Sequence, residues 1–151
     1  MAAAQRRCFI CDIVANPDRS QHHLVYDDDH AIAFLDRYPT LYGHVLVAPR
    51  EHREEVTGDF TEDEYAALHR VVHRVGEAVR GAVPTERLYV TCFGSQQGNK
   101  HVHWHVAPLP PGVPFEEQQG AALSWKRGIL DLSEEEMTAL AERIRAAMGA
   151  R

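Results

Sequence analysis

The sequence predicts an α+β fold: a mostly antiparallel five-stranded sheet covered by one long helix and a C-terminal helix. Three observations carry that prediction. Five short runs rich in β-branched and aromatic residues are set apart by glycine, proline and aspartate. One apolar stripe at helical spacing runs from Tyr65 to Val79 behind a helix-start signal. A second capped stripe follows from Ser133 to Met148.

The first two strands are His23-Leu-Val-Tyr26 and Ala31-Ile-Ala-Phe-Leu35, a hairpin joined through Asp27-Asp-Asp-His30. Val45-Leu-Val-Ala48 is the third, entered through Gly43 and closed by Pro49. Thr61 and Glu64 then form a capping box, in which each side chain satisfies the other residue's free amide. Tyr65, Leu68, Val72, Val75 and Val79 follow on one helical face, and Gly81 and Pro84 are expected to end that helix. Leu88 to Phe93 and His101 to Ala107 make the fourth and fifth strands, joined by the polar loop Gly94-Ser-Gln-Gln-Gly-Asn-Lys100. After Pro108-Leu-Pro-Pro-Gly112 comes an irregular stretch. Ser133 with Glu136 then starts a helix that buries Met137, Leu140, Ile144 and Met148.

At 151 residues the chain is expected to form a single domain, with a core over about 8–112 and a helical extension over about 113–151. A net charge of −6 gives no general attraction to nucleic acid or to an anionic membrane. A phosphate-bearing partner therefore requires a local site of backbone amides and a few cations. Neither a membrane-spanning run nor a signal-peptide core is visible, and three cysteines do not make a secreted disulfide framework, so a cytoplasmic location is expected.

His101, His103 and His105 alternate with Val102, Trp104 and Val106. In a strand, residues two apart share a face, so the three imidazoles are expected to project together over about 13 Å, with the apolar set packing beneath the long helix. Packing does not explain such a row, because every buried ring nitrogen requires a partner. A division of labour does: one imidazole as nucleophile, one holding its tautomer, one at the phosphate. A metal site of imidazole ligands fits the spacing equally well.

His101-Val-His-Trp-His-Val-Ala107 resembles the signature of the histidine-triad superfamily of nucleotide hydrolases and transferases. Cys8-Phe-Ile-Cys-Asp-Ile-Val14, Ala33 to Pro39 and Gly43 to His52 extend the resemblance over about residues 8–112. It implies that His103 attacks the α-phosphorus of a nucleotide and forms a nucleotidyl-histidine, oriented by His101. His105 would contact the phosphate or the leaving group, and His44 is the matching fourth histidine. Asp36 would accept hydrogen bonds from the ribose, with Arg37 beside it at the substrate. Gln96, Gln97, Gly98 and Asn99 would hold the phosphate. Gly98 stands where many relatives carry Ser or Thr, and Val90 where Asn or Gln is common, so the leaving group stays unnamed.

Cys8 and Cys11 have the Cys-x-x-Cys spacing of a zinc knuckle or a redox motif; Cys92 reads as a small core residue. The resemblance implies that the pair, with His52 and His101, binds a structural zinc, and that no cofactor enters the chemistry. It also implies a purine nucleoside phosphate as partner, and a two-fold dimer with the long helix and fourth strand near its interface. Two other readings stay open at this point: a nucleotide-binding sensor with little turnover, and a zinc-dependent hydrolase using the triad as ligands.

Overall fold

The five expected runs form one sheet in the order β1-β2-β3-β5-β4, every neighbouring pair antiparallel. They are β1 (Leu24–Asp27), β2 (Ala31–Leu35), β3 (Val45–Pro49), β4 (Arg87–Thr91) and β5 (Trp104–Leu109). The computed structural model describes residues 7–16, 18, 20–94 and 98–149. Helices are α1 (Phe9–Ala15), α2 (Glu62–Ala82), the short α3 (Gly120–Leu123) and α4 (Glu134–Gly149). No helix among the described residues is long and apolar enough to cross a membrane.

Alternation along the central strands builds two apolar layers. Ala33, Leu35, Val45, Val47, Trp104 and Val106 meet Leu68, Val72, Val75 and Val79 of α2. Val102, Trp104 and Val106 thus lie beneath the long helix, as their alternation predicts. Ile32, Phe34, Leu46 and Ala48 point the other way, against Ile10 and Ile13 of α1. Both capping boxes form. Thr61 Oγ1 accepts from Glu64 N at 3.1 Å, while Thr61 N donates to Glu64 Oε1 at 2.9 Å. Ser133 and Glu136 repeat the pattern at 3.1 and 2.8 Å. Met137, Leu140, Ile144 and Met148 of α4 are buried against α2.

Several boundaries differ from expectation, and four of them bear on the core or the site. His23 has φ 49°, outside the strand region, so β1 begins at Leu24. The helix runs through Gly81 to Ala82, and Val83 leaves it with φ −132° and ψ 151°, the extended geometry that Pro84 imposes on its predecessor. β4 ends at Thr91, whose partner is His105, so Cys92 and Phe93 fall beyond the ladder. Cys92 is half-buried at the margin of the core rather than inside it.

The fourth difference matters most. β5 begins at Trp104, paired with Val47, so His101, Val102 and His103 precede the ladder. Two steps further along β3 stands Pro49, which has no N–H to donate. Val102 N bonds instead to Arg53 O at 2.8 Å. The chain stays pinned there, but the regular alternation of faces does not extend back to His101.

Candidate active site

The face of the sheet carrying α1 opens into a cavity of about 970 Å³, walled by His103, His105, Phe34, Asp36, Phe93 and Trp125 among others. The route to its floor starts at Gly43, whose φ of +95° suits glycine and where a Cβ would be crowded, meeting Val83 Cγ2 at 3.0 Å and Pro108 Cγ at 3.1 Å. That turn delivers His44 to the head of β3, where it is buried.

His103 Nδ1 lies 2.8 Å from the His101 carbonyl oxygen. A carbonyl only accepts, so Nδ1 carries a proton and Nε2 is the nitrogen that offers a lone pair when the ring is uncharged. His105 stands beside it, ring centroids 5.1 Å apart, and its Nδ1 is 3.0 Å from His44 Nε2. Burial pushes His105 down to about 4, with His44 and His103 adding to the shift. Burial likewise holds His44 below the ordinary imidazole value, opposed by Asp36 and reinforced by His103. Both rings are therefore neutral near pH 7, a state in which an imidazole can take a proton.

Asp36 follows β2. Its Oδ1 accepts from Tyr38 N at 2.9 Å, and its Oδ2 lies 3.6 Å from His44 Nδ1. The exposed Arg37 reaches the cavity and donates from Nη2 to Gln21 O at 3.1 Å. Gly98 and Asn99 line the same cavity; Gln96 and Gln97 lie outside the described residues. Gly98 has φ +67°, and a Cβ there would meet no atom of the described residues within 4 Å, so among them backbone conformation rather than crowding disfavours a side chain.

His101 is the exception in the row. Its ring turns to the cysteines, with Nδ1 at 3.5 Å from Cys8 Sγ and 3.6 Å from Cys11 Sγ, so the three imidazoles do not converge on one point. Only its carbonyl serves His103. The expected three-imidazole face is thus a two-imidazole wall, and the triad is not arranged as a joint metal-ligand set.

Cys8, Cys11, His52 and His101 bring four ligand atoms within 4.8 Å of one another. Tetrahedral zinc with Zn–S about 2.3 Å and Zn–N about 2.0 Å separates sulfur from nitrogen by about 3.5 Å. The sulfur–nitrogen distances here are 3.4 Å for Cys11–His52, 3.5 Å and 3.6 Å. His101 Nε2 donates to Pro49 O at 2.7 Å, which leaves Nδ1 unprotonated and facing the thiols. His52 has Glu54 behind it, Nε2 to Oε1 3.2 Å. Burial and the neighbouring Cys8 push the Cys11 thiol up to about 11, a conflict between two thiols that a cation relieves. The four residues fit zinc.

Sequence reasoning passed over the apolar walls. Phe9 and Phe34 meet edge to face at 6.2 Å, and Phe93, 77% exposed, lies 6.4 Å from the His105 ring. Trp125 is 72% exposed, although both aromatics line the cavity. The signal for Phe34 was its alternation with Ala33. Nothing local marked Phe93, which reads as the last residue of a strand.

An α+β sheet with His103 and the neutral His105 side by side in a ligand-sized cavity fits a protein that binds a small molecule. The chain belongs to the HIT family, whose HIT domain model matches residues 18–111. It is 32% identical over 114 residues to the adenosine 5′-monophosphoramidase hnt1 of Schizosaccharomyces pombe, covering 76% of this chain and 79% of that one. It is 31% identical over 112 residues to the bifunctional adenosine 5′-phosphosulfate phosphorylase/adenylylsulfatase HINT4 of Arabidopsis thaliana, 73% and 75% covered. A hypothetical histidine-triad nucleotide-binding protein of Sulfolobus tokodaii superposes with a TM-score of 0.73 at 27% identity, covering 93% and 91%. A zinc-bound histidine-triad protein of Mycobacterium smegmatis shares the fold, with a TM-score of 0.69 at 24% identity over 93% and 92%.

Proposed function

We propose that this protein cleaves a phosphoramidate or phosphoanhydride bond at the α-phosphate of a nucleotide, through a nucleotidyl intermediate on His103. The observation that carries the reading is the 2.8 Å bond from His103 Nδ1 to the His101 carbonyl, which leaves Nε2 as the nucleophilic nitrogen beside the neutral His105. In the first half-reaction His103 Nε2 bonds to phosphorus and the leaving group departs with the electron pair. In the second, water bonds to phosphorus and the P–N bond breaks. The two named relatives act on adenosine 5′-phosphoryl compounds with different leaving groups, which supports a purine nucleotide here and leaves the leaving group to the residues near Gly98. The chemistry requires no cofactor.

Zinc held by Cys8, Cys11, His52 and His101 fits a structural role: two thiolates and two imidazoles fill a tetrahedron and leave no open position. It would secure α1 to the segment that carries His103. A histidine-triad protein of the same fold from Mycobacterium smegmatis is zinc-bound. β4 is an edge strand with Val90 46% exposed, the sheet edge open to a second copy in a dimer.

The test is His103→Asn assayed on adenosine 5′-phosphoramidate and on a dinucleoside polyphosphate. The expected result is a fall in kcat/KM of about 10³-fold or more on whichever is turned over, with the fold intact by circular dichroism. Unchanged turnover would rule the mechanism out.

A further inference from the structure

Asp36 has work beyond closing a turn. The antiparallel ladder pairs Leu35 with Val45, and one step further Asp36 N donates to His44 O at 2.9 Å. Backbone therefore holds the carboxylate opposite the histidine. His44 is only 6% exposed, and its Nδ1 has no hydrogen-bond partner among the described residues; Asp36 Oδ2 stands 3.6 Å away, an ion-pair distance. The other nitrogen, Nε2, is 3.0 Å from His105 Nδ1. Carboxylate, imidazole and imidazole form a file from the end of β2 to the cavity wall beside His103.

The file has a preferred arrangement of protons. A buried ring nitrogen facing a carboxylate favours the tautomer protonated on that nitrogen. With Nδ1–H on His44, its Nε2 is a lone pair, so the proton in the 3.0 Å bond belongs to His105 Nδ1. His105 Nε2 is then unprotonated, and it is the ring nitrogen left for the cavity.

We propose that Asp36 is a positioning residue for the hydrolytic half-reaction: acting through His44, it holds His105 as a base with a free Nε2 and supports the positive charge formed when His105 takes a proton from the attacking water. This rests on the nucleotidyl-His103 reading above. In that step the water oxygen bonds to phosphorus, the bond from phosphorus to His103 Nε2 breaks with its electron pair returning to the ring, and the water proton passes to His105 Nε2. His105 then releases that proton to solvent. The groups whose charge reaches His105 are His44, His103 and Asp36. Its strand partners Leu46 and Thr91 do not titrate in this range.

A ribose contact and a role through His44 make different predictions once the ribose hydroxyls are removed. Wild type, Asp36→Asn and Asp36→Glu are compared on adenosine 5′-phosphoramidate and its 2′,3′-dideoxyadenosine counterpart, following decay of the adenylyl-enzyme by rapid quench. On the dideoxy compound Asp36→Asn is expected to slow decay about tenfold or more with KM within about twofold, and Asp36→Glu to recover part of the rate. Decay equal to wild type on that compound would overturn the proposal. Imidazole ¹⁵N spectra of the unliganded protein read the same file without turnover. They are expected to show Nδ1–H on both His44 and His105. In Asp36→Asn the pair should take up its proton about one pH unit lower. His44 protonated on Nε2 in the wild type, or an unmoved titration, would overturn the proposal. Failure to form any adenylyl-enzyme would overturn the reading of function instead, while the spectra still decide the role of Asp36.

Discussion

Single residues set the chemistry through their partners more than through their identities. His103 and His101 are both histidines in a His-x-His pair, yet one offers a lone pair to the cavity and the other to two thiols. The sequence made the row conspicuous and could not show this split. It depends on Pro49, fifty-two positions from His101, which ends regular pairing and accepts the His101 Nε2 proton. Asp36 closes a turn by accepting from Tyr38 N, and its proximity to His44 comes from strand register. The lowered values of His44 and His105 carry a prediction for stability. Both folded-state values lie below the ordinary 6.5, so between that value and the folded ones the unfolded chain binds more protons than the folded one. Their contribution to stability is therefore full above about pH 6.5 and drains as pH falls toward about 4. Urea midpoints at pH 7, 5.5 and 4.5 should decrease in that order, and a His105→Gln variant should show a shallower decline.

At the scale of elements, local signals were strong wherever they were physically complete. Both capping boxes announced their helices, because the hydrogen bonds that start each helix are written within four residues. The two strands buried on both faces, β2 and β3, were legible as continuous apolar runs with turn residues at their ends. The start of β5 was not, because a strand's limit depends on what its neighbour can donate. Helix α4 owes its place to an apolar face against α2: Leu140 is 2% and Ile144 0% exposed. Arg145 adds a bond from Nη1 to Leu24 O at 2.7 Å on the edge strand β1. Ile144→Ala should lower unfolding free energy by about 2–5 kcal/mol, the range for emptying a packed aliphatic site. Urea denaturation measures it, and because the residue is remote from the histidines, KM should be unchanged in the folded protein.

For the whole molecule, the proposed zinc site is the point where three distant parts of the chain meet: α1 through Cys8 and Cys11, the segment after β3 through His52, and the approach to β5 through His101. The sequence offered the Cys-x-x-Cys spacing, but only the fold shows that one partner of the pair, His101, also holds His103 through its carbonyl. A metal there stabilises by removing freedom from a chain whose ends would otherwise separate on unfolding, and its ligands must be deprotonated to bind. Metal analysis of the protein should find one zinc per chain, and Cys11→Ser should abolish it. The same variant should lose about 10 °C of Tm, the equivalent of about 3 kcal/mol in a chain of this size. Well below that Tm it should still form adenylyl-His103, because a closed four-ligand site leaves no position for substrate. A variant that stays folded but forms no adduct, with both folding and adduct restored by added zinc, would move the metal from scaffold to mechanism.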